Sequence, residues 1–276
     1  ILPPAVNLIS GPGCPVCVTA QEDIDRMLSL ARTKNVIIAS FGDMLKVPGT
    51  ESSLEQERAR GADIRPVYSP LDALTIAQNN PAKQIIFLAV GFETTIPAIA
   101  SAVNDAKTRK LENFSIYCCN KTIPPAMRAL LQAAEIKIDG FLCPGHVSSI
   151  TGSKAYDFIG RDFKIPCVIS GFEPIDILES ILMLLRLKKN NDPRIEIQYK
   201  RAVKPEGNKL AQDMIKKIFS CSDAQWRGMG TIAQSGMKLK EKYGDFDAAS
   251  RFKIETVKTA ENKNCMCGQV LRGVKT

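Results

Sequence analysis

The chain has 276 residues, 45% of them apolar, with 37 Lys and Arg against 29 Asp and Glu, one histidine and a formal net charge of +8. That is enough apolar material for a full core, and the length suggests two domains. No uninterrupted apolar run approaches the ~20 residues that cross a bilayer, and the opening Ile-Leu-Pro-Pro lacks the charged start and long apolar stretch of a secretory signal. Basic residues gather at Arg186 to Lys189, at Lys200 and Arg201, and between Lys238 and Lys242, without interleaved aromatics. This reads as solvated helix ends and excludes a recognisable nucleic-acid module. Nine cysteines, an odd number spread through long α/β segments, point to reduced thiols, a redox pair or metal ligands in a cytoplasmic protein, not to a disulfide framework.

In chain order, Ala5 to Ile9 reads as a buried strand that empties into the turn Gly11-Pro12-Gly13. Cys14 and Cys17 follow, and Thr19 with Glu22 has the spacing of a capping box that opens a helix. The thiol pair then sits close to a helix N-terminus, where the helix dipole lowers a thiol pKa. Strands are expected at Val36 to Ala39, Ile64 to Tyr68, Gln84 to Val90 and Ser115 to Cys119. Near-continuous apolar strands separated by helical patterns imply a parallel sheet covered on both faces. Ser52 with Glu55 repeats the capping-box spacing, and Gly61 closes that helix. Ser69-Pro70 opens another helix over Leu71 to Gln78, and Thr122 with Pro124-Pro125 starts one at Ala126 to Ala134. Asn190 to Pro193 ends a long helix begun near Pro174, Ile195 to Tyr199 alternates like an edge strand, and Lys209 to Phe219 is helical. From Cys221 onward periodicity is poor.

A weak internal repeat runs through this pattern. Phe41-Gly42 leads after seven residues to Gly49, and Pro144-Gly145 leads after seven to Gly152. Each is followed downstream by a strand ending in Gly-Phe-Glu, at Glu93 and at Glu173. The expected architecture is therefore α/β: two related parallel-sheet units with helices on both faces, plus a smaller C-terminal region. The boundaries fall at residues 1–110, 111–203 and 204–276. Ligands of open parallel sheets bind beyond the carboxyl ends of strands, and the motifs all lie there. A shared cleft joining Cys14, Asp43 and His146 is the corresponding expectation.

The Cys-Pro-Val-Cys layout is that of dithiol oxidoreductases, and either thiol can be the attacking one. His146, the only histidine, lies in Pro-Gly-His at a strand end, where an imidazole can serve a metal-bound ligand, although a lone loop histidine is commonly a hydrogen-bonded surface group. Asp43, Glu93 and Glu173 stand just past buried strands, and for all three the competing reading is N-capping of the next helix; Asp43 and His146 rank above the two glutamates as cleft chemistry. Cys118, Cys119 and Cys167 lie in apolar strands and read as small core residues, while Cys143 stays ambiguous. Cys265 and Cys267 are too few to bind a metal alone.

Gly-Pro-Gly-Cys-Pro-Val-Cys, Phe41-Gly42-Asp43, Gly91-Phe92-Glu93-Thr94-Thr95, Pro144-Gly145-His146-Val147-Ser148 and Gly171-Phe172-Glu173-Pro174 together resemble the hydrogenase maturation family HypD, in that family's order and over the whole chain. The resemblance implies a scaffold that, with the small partner HypC, holds an Fe(CN)2CO unit while HypE delivers cyanide, before transfer to the [NiFe]-hydrogenase large subunit. It implies that Cys14 and Cys17 work in redox or iron chemistry, with Asp43 and His146 beside them. It also implies that Cys265 and Cys267, the latter before Gly268, begin the segment that carries ligands of a [4Fe–4S] cluster. The family's Cys-Gly-Gly-His segment and its last cysteines are not among these residues, so an incomplete cluster is expected, and turnover and templating both remain open for the assembly step. Two rivals come from other classes. A free-standing thiol–disulfide oxidoreductase would be one thioredoxin-like unit. A doubly wound nucleotide or sugar binder would need a phosphate loop such as Gly-x-Gly-x-x-Gly, which the sequence lacks.

Overall fold

A computed structural model describes residues 2–11, 13–132 and 138–254. The chain divides into two compact units. Among the described residues, the larger comprises Pro15–Thr122 and residues 210–254; the smaller comprises residues 2–11, 13–14, 123–132 and 138–209.

In the larger unit, α1 (Gln21–Ala31) precedes β1 (Val36–Ser40), α2 (Leu54–Ala59) precedes β2 (Asp63–Pro66), and α3 (Pro70–Asn79) precedes β3 (Gln84–Ala89). α4 (Ile96–Thr108) then leads to β4 (Phe114–Cys118). The strands form one parallel sheet in the order β2-β1-β3-β4. Because side chains alternate across a strand, Ile37, Ala39, Ile85 and Phe87 face α3 and α4, where they meet Ala73, Leu74, Ile99 and Val103. Ile38, Ile86 and Leu88 face the other way and meet Ile24, Met27, Leu28 and Leu30 of α1. Both faces of β1 and β3 are dry, which is why these two central strands carry no polar alternation.

Local signals act as the sequence suggests, with small shifts. Ser69 caps α3 with Pro70 inside its first turn and Asp72 closing the box, and Gly61 takes φ +102 after α2. The α2 box is Ser53 with Gln56, one residue later than expected.

Two expectations fail. Ala5 to Ile9 is not a strand: the Val6 N–H turns back to Pro3 O at 2.9 Å, and Leu8 stands 53% exposed. Prolines 3 and 4 favour a turn there, and without a ladder partner an apolar run of this length has no reason to extend. The C-terminal region also differs from its expected texture. After α9 (Lys209–Ile218; α5 to α8 are placed below), β8 (Phe219–Trp226) and β9 (Gly230–Leu239) form an antiparallel hairpin with an irregularity between Ser222 and Ala224. The hairpin is tied to the end of β4: Met237 N–H donates to Asn120 O (3.2 Å) and Thr122 N–H to Ser235 O (2.8 Å). Residues 210–254 thus rejoin the first sheet's unit, and β4 pairs with β3, so the sheet extends past the boundary at 110 expected from the sequence.

The smaller unit carries α5 (Ile123–Gln132), β5 (Phe141–Pro144), α6 (Gly145–Thr151), α7 (Asp157–Phe163), β6 (Cys167–Ser170), α8 (Pro174–Lys189) and β7 (Ile195–Ile197). Its sheet is parallel, in the order β5-β6-β7, with β7 at the edge. Among the described residues, no helix is long and apolar enough to cross a membrane.

One buried charge sets an acid limit on the larger unit. Glu57 is 4% exposed and accepts from Arg32 Nη2 and Arg60 Nη1, both at 2.9 Å. The Arg32 hydrogen bond outweighs burial and lowers its carboxyl to about 2. A depressed folded-state pKa stabilises above the unfolded value, here about 4.5, and that contribution is lost as pH falls from about 4.5 towards 2. Because both guanidiniums are partly exposed, the contribution at neutral pH is about 1–3 kcal/mol. Glu57→Gln is expected to lower stability by that amount at pH 7 and by little at pH 2.5, measured by urea unfolding. An equal loss at both pH values would refute the assignment.

Candidate functional site

The turn that carries Cys14 and Cys17 is exposed at both thiols, yet its far side is anchored. Gly13 N–H donates to Gly11 O at 2.8 Å, and Thr19 N–H to Val16 O at 3.3 Å. Thr19, fully buried, donates its hydroxyl to Pro15 O at 2.8 Å. α1 begins at Gln21 with Ala20 as its N-cap and no side-chain bond there, so Thr19 stands one residue before the cap position. Glu22 pairs with Arg26 at 2.5 Å. The expected Thr19–Glu22 capping box is thus replaced by a hydroxyl that braces the thiol turn. The chain passes from that turn directly into the start of α1.

Around the carboxyl ends of the first sheet, Asp43 sits exposed in a 3₁₀ turn, Gly42–Met44, just past β1. Glu93 lies just past β3 and is 4% exposed. Gly91 is obligatory there, because a Cβ would stand 1.7 Å from Thr95 Oγ1. The α4 N-cap is Thr95, with its hydroxyl on Phe92 O at 3.0 Å, so Glu93 is not that helix's cap. Phe92 stacks on Trp226 at 6.0 Å between centroids.

A cluster that sequence reasoning missed lies past β4. Lys121 is 2% exposed, with Nζ 3.9 Å from Asp23 Oδ2 and 5.9 Å from the centre of the Trp226 ring. Tyr117 donates its hydroxyl to Asp23 Oδ1 at 3.2 Å. Burial raises the Asp23 carboxyl, opposed by the Lys121 charge, and burial also raises the Tyr117 phenol. The available signal was a lysine directly after an apolar strand, in the same strand-end position as the other motifs.

In the smaller unit two sequence motifs meet. His146 opens α6, and its ring stacks on Phe172 of the Gly-Phe-Glu-Pro motif at 4.1 Å, with Tyr199 edge-on at 6.3 Å. Gly145 permits this corner: a Cβ would fall 2.3 Å from Ser170 O and 2.7 Å from Tyr199 Cδ1. Glu173 is the N-cap of α8, and its N–H donates to Asp176 Oδ2 at 3.4 Å. Helix capping therefore accounts for Glu173. Asp176 is held by Arg201, with Nη1 at 2.9 Å, and by Gln198. The Arg201 bond comes first in keeping that carboxyl well below the usual range. Gln198 Oε1 also accepts from Gly171 N–H at 3.1 Å, so one polar net holds the loop that carries Phe172.

The remaining described thiols differ in kind from Cys14 and Cys17. Burial pushes Cys118 up to about 12 and also raises Cys119 well above the ordinary thiol value. Cys167 is raised by its hydrogen bond with Cys143 and then by burial. Cys143 itself is 1% exposed, a core residue. Only Cys221 joins the pair at the exposed surface among the described residues. Cys265 and Cys267 lie outside the described residues. Among the described residues, no three His, Cys, Asp or Glu side chains are arranged to hold a metal ion. The exposed pair offers two of the four thiolates that a [4Fe–4S] cluster usually takes, so these residues do not by themselves fit a cluster.

The family model named HypD, described as the hydrogenase formation hypA family, matches residues 1–276. The hydrogenase maturation factor HypD of Escherichia coli K12 is 44% identical over 274 residues, covering 99% of this chain and 74% of its own length. HypD2 of Bradyrhizobium diazoefficiens is 44% identical, covering all of this chain and 74% of its own. HypD of Cupriavidus necator is 41% identical, covering all of this chain and 75% of its own. A model match from end to end, with relatives at this identity, establishes that the chain belongs to the HypD family.

Proposed function

We propose that this hydrogenase maturation factor acts as a cytoplasmic scaffold on which the Fe(CN)2CO unit of a [NiFe]-hydrogenase is assembled, with Cys14 and Cys17 as its working thiols. The iron unit is cargo, received with a HypC-type partner, cyanated by a HypE-type donor and passed towards the hydrogenase large subunit. The observation that carries the reading is the contrast among thiols. Cys14 and Cys17 are exposed on a turn that runs into a helix start, whereas Cys119, Cys143 and Cys167 are sealed in the core. A two-residue spacing lets the sulfurs close to a disulfide, releasing two electrons and two protons. Asp43 and His146 stand at equivalent strand ends of their own units. The stacked His146 ring offers a nitrogen to a ligand of the cargo. Asp43 is an exposed carboxylate acceptor. Glu93 is the buried acid of the same set, and Glu173 is assigned to capping. A [4Fe–4S] cluster would draw on Cys265 and Cys267. Two parallel-sheet units and a hairpin speak against a free-standing thioredoxin-like oxidoreductase.

Titration against glutathione buffers, in which the dithiol and glutathione disulfide exchange to the protein disulfide and two glutathiones, is expected to yield one reversible Cys14–Cys17 bond by mass spectrometry. Cys14→Ala and Cys17→Ala are each expected to abolish hydrogenase maturation when the cognate full-length protein carries them. Normal maturation with either variant would overturn the proposal.

A further inference from the structure

The segment immediately after the thiol pair is gripped by the far end of the chain. Arg227, in the turn between β8 and β9, donates its backbone N–H to Val18 O at 3.0 Å. Its side-chain Nε donates to Thr19 O at 3.0 Å, and Nη2 donates to Gln21 Oε1 at 3.3 Å. Trp226 forms an isolated antiparallel bridge with Thr19. Thr19 in turn holds Pro15 O, the carbonyl between the two cysteines, through its hydroxyl. Three residues therefore link in series: Arg227 fixes the Thr19 backbone, and the Thr19 side chain fixes the turn. The same hairpin end is packed on the strand-end motif of the first sheet by the Trp226–Phe92 stack, and Trp226 Nε1 donates within the hairpin to Ser235 Oγ at 2.7 Å. Val18, Thr19 and Trp226 are all at most 2% exposed, so this grip is a packed joint and not a surface contact.

We propose that Arg227 is a positioning residue for the thiol turn, with the β8–β9 hairpin serving as the clamp that sets how closely Cys14 and Cys17 are held. The inference rests on the reading of those cysteines as a working pair. A fixed turn raises the effective concentration of one thiol at the other and so favours the disulfide. The backbone bond from Arg227 survives substitution, so Arg227→Ala loosens the turn without detaching the hairpin. Arg227→Lys keeps the charge but cannot span Thr19 O and Gln21 Oε1 together.

The test compares the full chain with R227A and R227K in glutathione buffers, and measures the alkylation rate of Cys17 by iodoacetamide with mass-spectrometric readout. Circular dichroism and melting serve as the fold control. Both variants are expected to weaken the Cys14–Cys17 disulfide at least tenfold, which is about 30 mV, and to raise Cys17 alkylation severalfold with the fold retained. An equilibrium within twofold of the parent in both variants would overturn the proposal. So would R227K matching the parent while R227A does not, since the effect would then belong to charge. If R227A does not fold, R227K decides alone. If the parent itself forms no disulfide, the redox reading of the pair fails, and the Cys17 alkylation rate decides the positioning claim by itself.

Discussion

Trp226→Ala is expected to cost the larger unit about 3–5 kcal/mol, the range for truncating a buried large aromatic. Trp226 is the only tryptophan in the chain, is 1% exposed, and fills the space among Phe92, Lys121 and Thr19. Removing it also strips the Ser235 hydroxyl of its indole donor and takes a ring face from a lysine that is already out of water. Trp226→Phe keeps a ring against Phe92 and loses the N–H, so a smaller loss of about 1–2 kcal/mol is expected. Because the fluorophore disappears with the substitution, unfolding should be followed by circular dichroism in urea. If Trp226→Ala unfolds within 1 kcal/mol of the parent, the hairpin is not the packed joint described for it.

That joint also shows what the sequence could and could not convey. The first sheet was legible because its central strands are apolar on both faces, so a run such as Gln84 to Ala89 announces itself without reference to anything distant. The hairpin was not. Between its buried ends, Phe219 and Trp226, β8 alternates half-buried and exposed residues among Ser, Cys, Asp and Gln, a pattern that a polar loop shares. Its partners, Val18, Thr19 and Phe92, lie more than a hundred residues away in the chain. The Thr19–Glu22 spacing misled for a related reason: the helix starts one residue later, with Ala20 at the N-cap, and the Thr19 hydroxyl turns back to donate to Pro15 O. His146 and Phe172 were each marked by their motifs, but their stacking follows from β5 and β6 being neighbours in register. Lys121 and Asp23 were passed over because a charge at the end of an apolar run ordinarily reads as solvated, whereas here the hairpin covers it.

The two glycines that precede Asp43 and His146 occupy matching places in the sequence and should respond very differently to the same substitution. At Gly42 an added Cβ meets nothing within 4 Å. Gly42→Ala is therefore expected to stay within about 0.5 kcal/mol of the parent, with any gain coming from a stiffer unfolded chain. At Gly145 the added carbon lies 2.3 Å from the Ser170 carbonyl oxygen and 2.7 Å from the Tyr199 ring. Ser170 O is backbone at the end of β6, so relief has to come from moving the β5–α6 corner as a whole. Overpacking of this kind costs about 1–3 kcal/mol, at times more. The corner carries His146, so the displacement also separates its ring from Phe172, now 4.1 Å away centroid to centroid. Gly145→Ala should accordingly lower the melting temperature and shift the His146 ring resonances, while Gly42→Ala does neither. The close approach at Gly145 is then what seats the imidazole against Phe172, and loss of maturation in Gly145→Ala but not Gly42→Ala would tie that seat to function. If Gly145→Ala leaves both the melting temperature and the His146 resonances unchanged, the stacked corner is not set by this contact.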